Sequence, residues 1–221
     1  MQRSLVHIAT VAIMIAIGAP AAATTFAFDQ DPFAGTTVLT TPGRQVVGGE
    51  PLISFSPGSD VFAFDPTVFD AGNAVLFAND VAGNLPTSGR NIVVLETFDN
   101  DANSATAFGA GNAADLIAAR VTTDGAGFFI YFNSGLNLPR LVYSTNLSDS
   151  TADLKILARM VNLSGQSGEL ANFSSANFQF LTSVPEPATW ALMTLGACLV
   201  GGALRRRARA GTSPRPVFGK G

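Results

Sequence analysis

The chain is poor in the side chains that most often carry chemistry. It has one cysteine, Cys198, one histidine, His7, and one tryptophan, Trp190. All three lie near the ends, so residues 24–184 contain none of them. That stretch cannot form a disulfide, a zinc site with nitrogen or sulfur ligands, a Ser-His-Asp triad or a cysteine nucleophile. Positive charge is also scarce there. Arg44, Arg90, Arg120, Arg140, Lys155 and Arg159 stand against fifteen carboxylates, a formal net of −9. Phosphate backbones repel such a surface, so nucleic acid is excluded as a partner.

What is present at the N-terminus is a leader. Arg3 precedes an almost wholly apolar run over residues 5–17, then Gly18, Pro20 and Ala21-Ala22-Ala23. A positive start, an apolar centre and a small-residue exit are the features of a secretory signal peptide over residues 1–23. Signal peptidase is expected to cut between Ala23 and Thr24, although Ala19-Pro20-Ala21 satisfies the same rule.

At the other end, residues 188–204 form 17 uncharged positions, ATWALMTLGACLVGGAL, followed by Arg205, Arg206, Arg207 and Arg209. As a helix this run spans roughly 25 Å, the short limit for crossing a bilayer. The arginines hold their end in the cytoplasm. Both ends thus place residues 24–184 outside the inner membrane, with one C-terminal transmembrane helix.

Val184-Pro185-Glu186-Pro187, an apolar segment rich in small residues and an arginine cluster follow one another over residues 184–209. This order resembles the PEP-CTERM sorting signal of exported Gram-negative bacterial proteins. The resemblance implies recognition and processing by an exosortase, with the helix holding the chain in the membrane and the arginines stopping transfer. It also implies a final place at the cell surface or in an extracellular matrix, often one of exopolysaccharide. Residues 185–209 are the sorting signal in this reading. Residues 210–221 form a Gly-, Ser- and Pro-containing tail, expected to be disordered and longer than the family's usual stop.

Between the ends, short apolar and β-branched stretches alternate with Gly, Pro, Asn and Asp clusters, the pattern of an all-β body. Strands are expected at 36–40, 52–56, 60–64, 74–78, 91–97, 116–123, 127–133, 140–145 and 154–162. An antiparallel sandwich or meander follows, with a four-stranded meander over 116–162. Thr123-Asp124-Gly125-Ala126 reads as its first hairpin turn. Phe128-Phe129-Ile130-Tyr131-Phe132 is apolar on both faces and therefore central. A helix over 112–120 is the competing reading of the segment before it. Phe26, Phe28, Phe33, Phe55, Phe62, Phe64, Phe69 and Phe77 are expected in the core.

Three chemical signals remain. Gly58-Ser59-Asp60 has the look of one calcium-repeat turn, and Asp99-Asn100-Asp101 begins like an EF-hand loop. The first stands alone. The second has Ser104 and Ala110 where that loop needs Gly and Glu, so Asp60, Asp99 and Asp101 are weak metal candidates. Glu96, at the end of an apolar strand, is a lone carboxylate with no marked partner for glycoside hydrolysis. The expected function is a non-enzymatic structural or adhesive role in the cell envelope without cofactor. A calcium- or polysaccharide-binding module is the alternative, and a carboxylate-dependent glycoside hydrolase the remaining one.

Overall fold

Three strands carry the pattern Phe-x-Phe, and their alternation determines how the body is layered. In the computed structural model, which describes residues 22–181, the first strands are β1 (Thr25–Phe28), β2 (Val46–Val47), β3 (Leu52–Ile53), β4 (Val61–Phe64) and β5 (Phe77–Asp80). The chain continues with β6 (Ile92–Leu95), β7 (Gly127–Asn133), β8 (Leu138–Ser144), β9 (Leu154–Met160) and β10 (Phe178–Phe180). Two helices interrupt them, α1 (Pro66–Phe69) and α2 (Ala110–Ala118).

A small sheet has the order β1-β4-β10, with both pairings parallel. Register aligns Phe26, Phe62 and Phe178 in one row and Phe28, Phe64 and Phe180 in the next. Because side chains two apart share a face, all six rings project to one side. They pack on one face of a larger sheet ordered β2-β9-β8-β7-β6-β5, with β3 also on β9. Phe64 stacks on Phe128 at a centroid distance of 3.7 Å, and Phe55 lies 4.1 Å from Phe62.

The opposite face of the large sheet is apolar too. Phe128, Ile130 and Phe132 join the phenylalanine core, while Phe129 and Tyr131 point into a second core with Ala113, Ala114 and Ile117 of α2. Strand β7 lies between β6 and β8, so its two-faced sequence marks a central strand as expected. Helix α2 is rich in alanine, a strong helix former, and Gly109 N–H donates to the Asn112 side chain at its start.

Several expectations are corrected. Only β7-β8-β9 form an antiparallel meander; β5-β6-β7 are parallel, and the sheet is mixed. The β6-to-β7 crossover uses α2, which replaces the strand expected at 116–123 and supports the competing helical reading. Accordingly Thr123 to Ala126 is not a hairpin turn but the loop from α2 into β7. Residues 36–40 contain a 3-10 turn, Val38–Thr40, instead of a strand. In β9 a register shift opposite Leu141 and Val142 breaks the simple alternation. Leu154 and Ile156 face α2, whereas Leu157, Ala158 and Met160 belong to the phenylalanine core.

Candidate functional site

The weak metal candidates are the first carboxylates to place. Asp60 precedes β4 and is only 6% exposed. Its Oδ1 accepts the backbone N–H of Thr24 at 2.9 Å and the Ser59 hydroxyl at 3.2 Å; its Oδ2 accepts Ser56 N–H at 2.8 Å. Burial pushes this carboxyl up, but the Thr24, Ser56 and Ser59 donors outweigh it and hold the group below its ordinary value. Asn177 donates to the carbonyl of Asp60 at 2.9 Å and of Pro57 at 2.7 Å. Asp60 therefore sits where β1, β4 and the approach to β10 meet.

Asp99 and Asp101 lie in the exposed loop between β6 and α2. Asp99 Oδ1 accepts the N–H groups of Asp101 and Ala102, each at 3.0 Å, and Asp101 Oδ1 accepts that of Asn103 at 2.9 Å. These are consecutive Asx turns, in which the side chains close their own loop. Among the described residues, no group of three or more His, Cys, Asp or Glu side chains is arranged to hold a metal ion.

Glu96 follows β6 at the C-terminal ends of the parallel strands β5, β6 and β7. Such ends are the usual ligand positions of parallel sheets. A depression of about 210 Å³ is found there, lined by Val81, Glu96, Phe98, Ser167, Gly168 and Ala171. Glu96 is the single carboxylate in that lining. Acid-base hydrolysis of a glycoside needs two, a few ångströms apart on either side of the bond.

Sequence reasoning missed the most ordered charge cluster. Glu50, between β2 and β3, has a fully buried side chain whose Oε1 accepts from both Arg140 and Arg159. Arg140 also reaches the Tyr131 hydroxyl at 3.5 Å, and Asn133 donates to that oxygen at 3.0 Å. Burial pushes Glu50 up, yet its bonds to Arg140 and Arg159 bring the carboxyl below its usual range. Tyr131 moves the opposite way, because burial raises the phenol above its ordinary value. In the phenylalanine core, burial first, then Asp70 and Asp31, push Tyr143 up to about 12, with its hydroxyl donating to Phe69 O at 2.7 Å. No local spacing announces the Glu50 cluster; Glu50 and Arg159 are 109 positions apart. The one available signal was the rarity of basic residues, two of which face each other across β8 and β9.

The remaining expected site residues concern export and sorting. Ala23 and Thr24 are exposed at the start of the described chain, just before β1. Residues 1–21 of the expected leader, and Val184, Pro185, Glu186, Pro187, Arg205, Arg206, Arg207 and Arg209, lie outside the described residues, as does the tail 210–221. Among the described residues no helix is long and apolar enough to cross a membrane, and the run at 188–204 is not among them. Residues 183–207 match the PEP-CTERM protein-sorting motif. The chain carries a PEP-CTERM signal. The motif indicates an exported protein sorted by an exosortase at the membrane. It starts three positions after the end of β10, and Arg209 falls just beyond it. No curated protein and no solved structure is significantly similar to the chain.

Proposed function

We propose that the PEP-CTERM body is a non-enzymatic structural or adhesive module of the cell envelope. In this reading its C-terminal segment holds it at the membrane until an exosortase acts, and it then serves at the cell surface or in a polysaccharide matrix. The observation that carries the proposal is the direct join between body and signal. Only Leu181 and Thr182 separate β10 from the matched motif. The β-rich body is thus the cargo that the sorting step delivers.

What supports a role without catalysis is the engagement of the acidic side chains. Asp60, Asp99 and Asp101 accept hydrogen bonds from their own chain, and Glu96 is alone in its depression. Calcium binding is the weaker reading, because Asp60 stands alone and the Asp99 loop has Ser104 and Ala110 where a calcium loop needs Gly and Glu. The lack of His and Cys in residues 24–184 points the same way.

The deciding experiment is intact mass spectrometry of the mature protein from a host with an exosortase. The expected product has lost residues beyond the Pro-Glu-Pro motif. The full C-terminus should persist in an exosortase-deficient strain and in Glu186→Ala. A C-terminus at Gly221 in all three would refute sorting by processing. A pull-down with host exopolysaccharide then separates adhesion from a passive structural role, with retention expected for the adhesive one.

A further inference from the structure

Among the described residues, Asp60 holds its charge on neutral donors alone. It is 6% exposed, and the donors to its carboxylate are two backbone N–H groups and a hydroxyl, with no cation among them. Those three neutral donors offset the cost of burial, and a cationic donor in the place of one of them would hold the carboxylate more strongly. One of its three donors is the nitrogen of Thr24, the position at which the leader is expected to end.

We infer that leader removal supplies a counter-charge, the mature α-ammonium of Thr24 pairing with Asp60 as a lock on the small sheet. This rests on the export reading. Signal peptidase adds water across the Ala23–Thr24 amide, so the leader departs with a carboxylate on Ala23. Thr24 keeps its nitrogen, now protonated to an ammonium near neutral pH.

The geometry needs little adjustment. The same nitrogen already lies 2.9 Å from Oδ1, and cleavage converts a neutral donor into a charged one at that place. Ala22, Ala23 and Thr24 are exposed, so the bond to be cut is not enclosed by the body. Thr24 O accepts Val61 N–H at 2.9 Å, which ties the new terminus into the β1–β4 pairing. Through its own carbonyl Asp60 also holds Asn177, just ahead of β10. The ion pair would therefore fasten the central strand to β1, beside the Asn177 bond that ties it to the approach to β10.

The pairing also chooses between the two leader exits. A cut after Ala21 leaves Ala22 and Ala23 ahead of Thr24, which then remains an amide and gives Asp60 no charge. Only the cut after Ala23 completes the pair.

The test uses the exported full chain, purified in detergent, with mass spectrometry of its N-terminal peptide. An amine-reactive ester applied near neutral pH reports the free-base fraction of each amine, with Lys155 as internal reference. Pairing holds the α-amine in its protonated, unreactive form, so Thr24 should react about tenfold more slowly than an unpaired α-amine. Asp60→Asn should abolish that protection. A second variant, Gly-Ser inserted between Ala23 and Thr24, keeps Asp60 intact and moves the new amine two residues away. It should label fast and melt at a lower temperature, and it carries the test should Asp60→Asn fail to fold. Equal labelling of the unaltered protein and the insertion variant would overturn the ion pair. A mature terminus other than Thr24 would overturn the cleavage on which it depends, while the C-terminal mass reports sorting separately.

Discussion

The small sheet and the β7-β8-β9 meander are assembled in opposite ways. The meander takes three neighbouring segments, residues 127–160, and closes them by antiparallel pairing. The small sheet gathers β1, β4 and β10 from residues 25, 61 and 178 onward, and every pairing is parallel. The meander is thus cheap in chain entropy, whereas the small sheet requires long loops to close before any of its contacts form. What offsets that cost is the six-ring face, which gains its burial only against the large sheet. The small sheet therefore depends on the meander more than the meander depends on it.

The largest test of that dependence is Phe128→Ala. Phe128 belongs to β7, yet its ring stacks on Phe64 and lies within 5.5 Å of Phe69 and Tyr143. The substitution should cost about 4 kcal/mol by denaturant unfolding. Amide exchange should rise first at Phe26, Ala63 and Gln179, before the β7–β8 amides are affected. A uniform rise across both sheets would mean that they unfold as one unit.

Next comes the clamp across β8 and β9. Glu50→Gln leaves Arg140 and Arg159 without a counter-charge and should cost about 3 kcal/mol, the low end for a buried pair because Arg159 is partly exposed. The sign in pH follows from the lowered folded-state carboxyl. The stabilisation is complete above the unfolded value of about 4.3 and disappears as pH falls through the lower folded value. Melting temperature should therefore fall on acidification in the native protein with a steeper slope than in Glu50→Gln. Parallel pH profiles would show that the cluster does not contribute.

Gly127 sharpens the comparison at the start of the meander. A Cβ there would approach Leu147 Cδ1 at 2.5 Å and the backbone oxygen of Asn91 at 2.6 Å. Backbone cannot move aside easily, so Gly127→Ala should cost about 2 kcal/mol through overpacking. The smallest effect belongs outside both units: Asp99→Ala with Asp101→Ala should leave the global melting temperature unchanged, with and without calcium. A rise in melting temperature with calcium that these substitutions abolish would restore the cation-binding reading.

Legibility followed locality. The five consecutive apolar residues of β7 identified a central strand, and the meander was found because its strands are neighbours in sequence. The eight phenylalanines expected in the core do join it, with Phe26, Phe28 and Phe77 half-buried at its edge. Parallel pairing was not legible, since alternation shows which side chains share a face but not which strand lies alongside. The repeated Phe-Ala-Phe-Asp at residues 26–29 and 62–65 was the available sign that two distant strands are equivalent. For α2, β-branched residues after Leu116 favoured a strand, and the burial of Ala113, Ala114 and Ile117 on the large sheet decided for a helix.

The sequence by itself determined the sorting motif at 183–207 and what chemistry residues 24–184 exclude. The Pro-Glu-Pro motif and the arginine cluster lie close together in one stretch of sequence, and a missing His or Cys cannot be restored by folding. Only the tertiary structure decided what the carboxylates do. Asp60 meets a nitrogen 36 positions away and Glu50 a guanidinium 109 away. A side chain's charge state and role depend on its neighbours in space, and those neighbours are fixed by the packing of the two sheets.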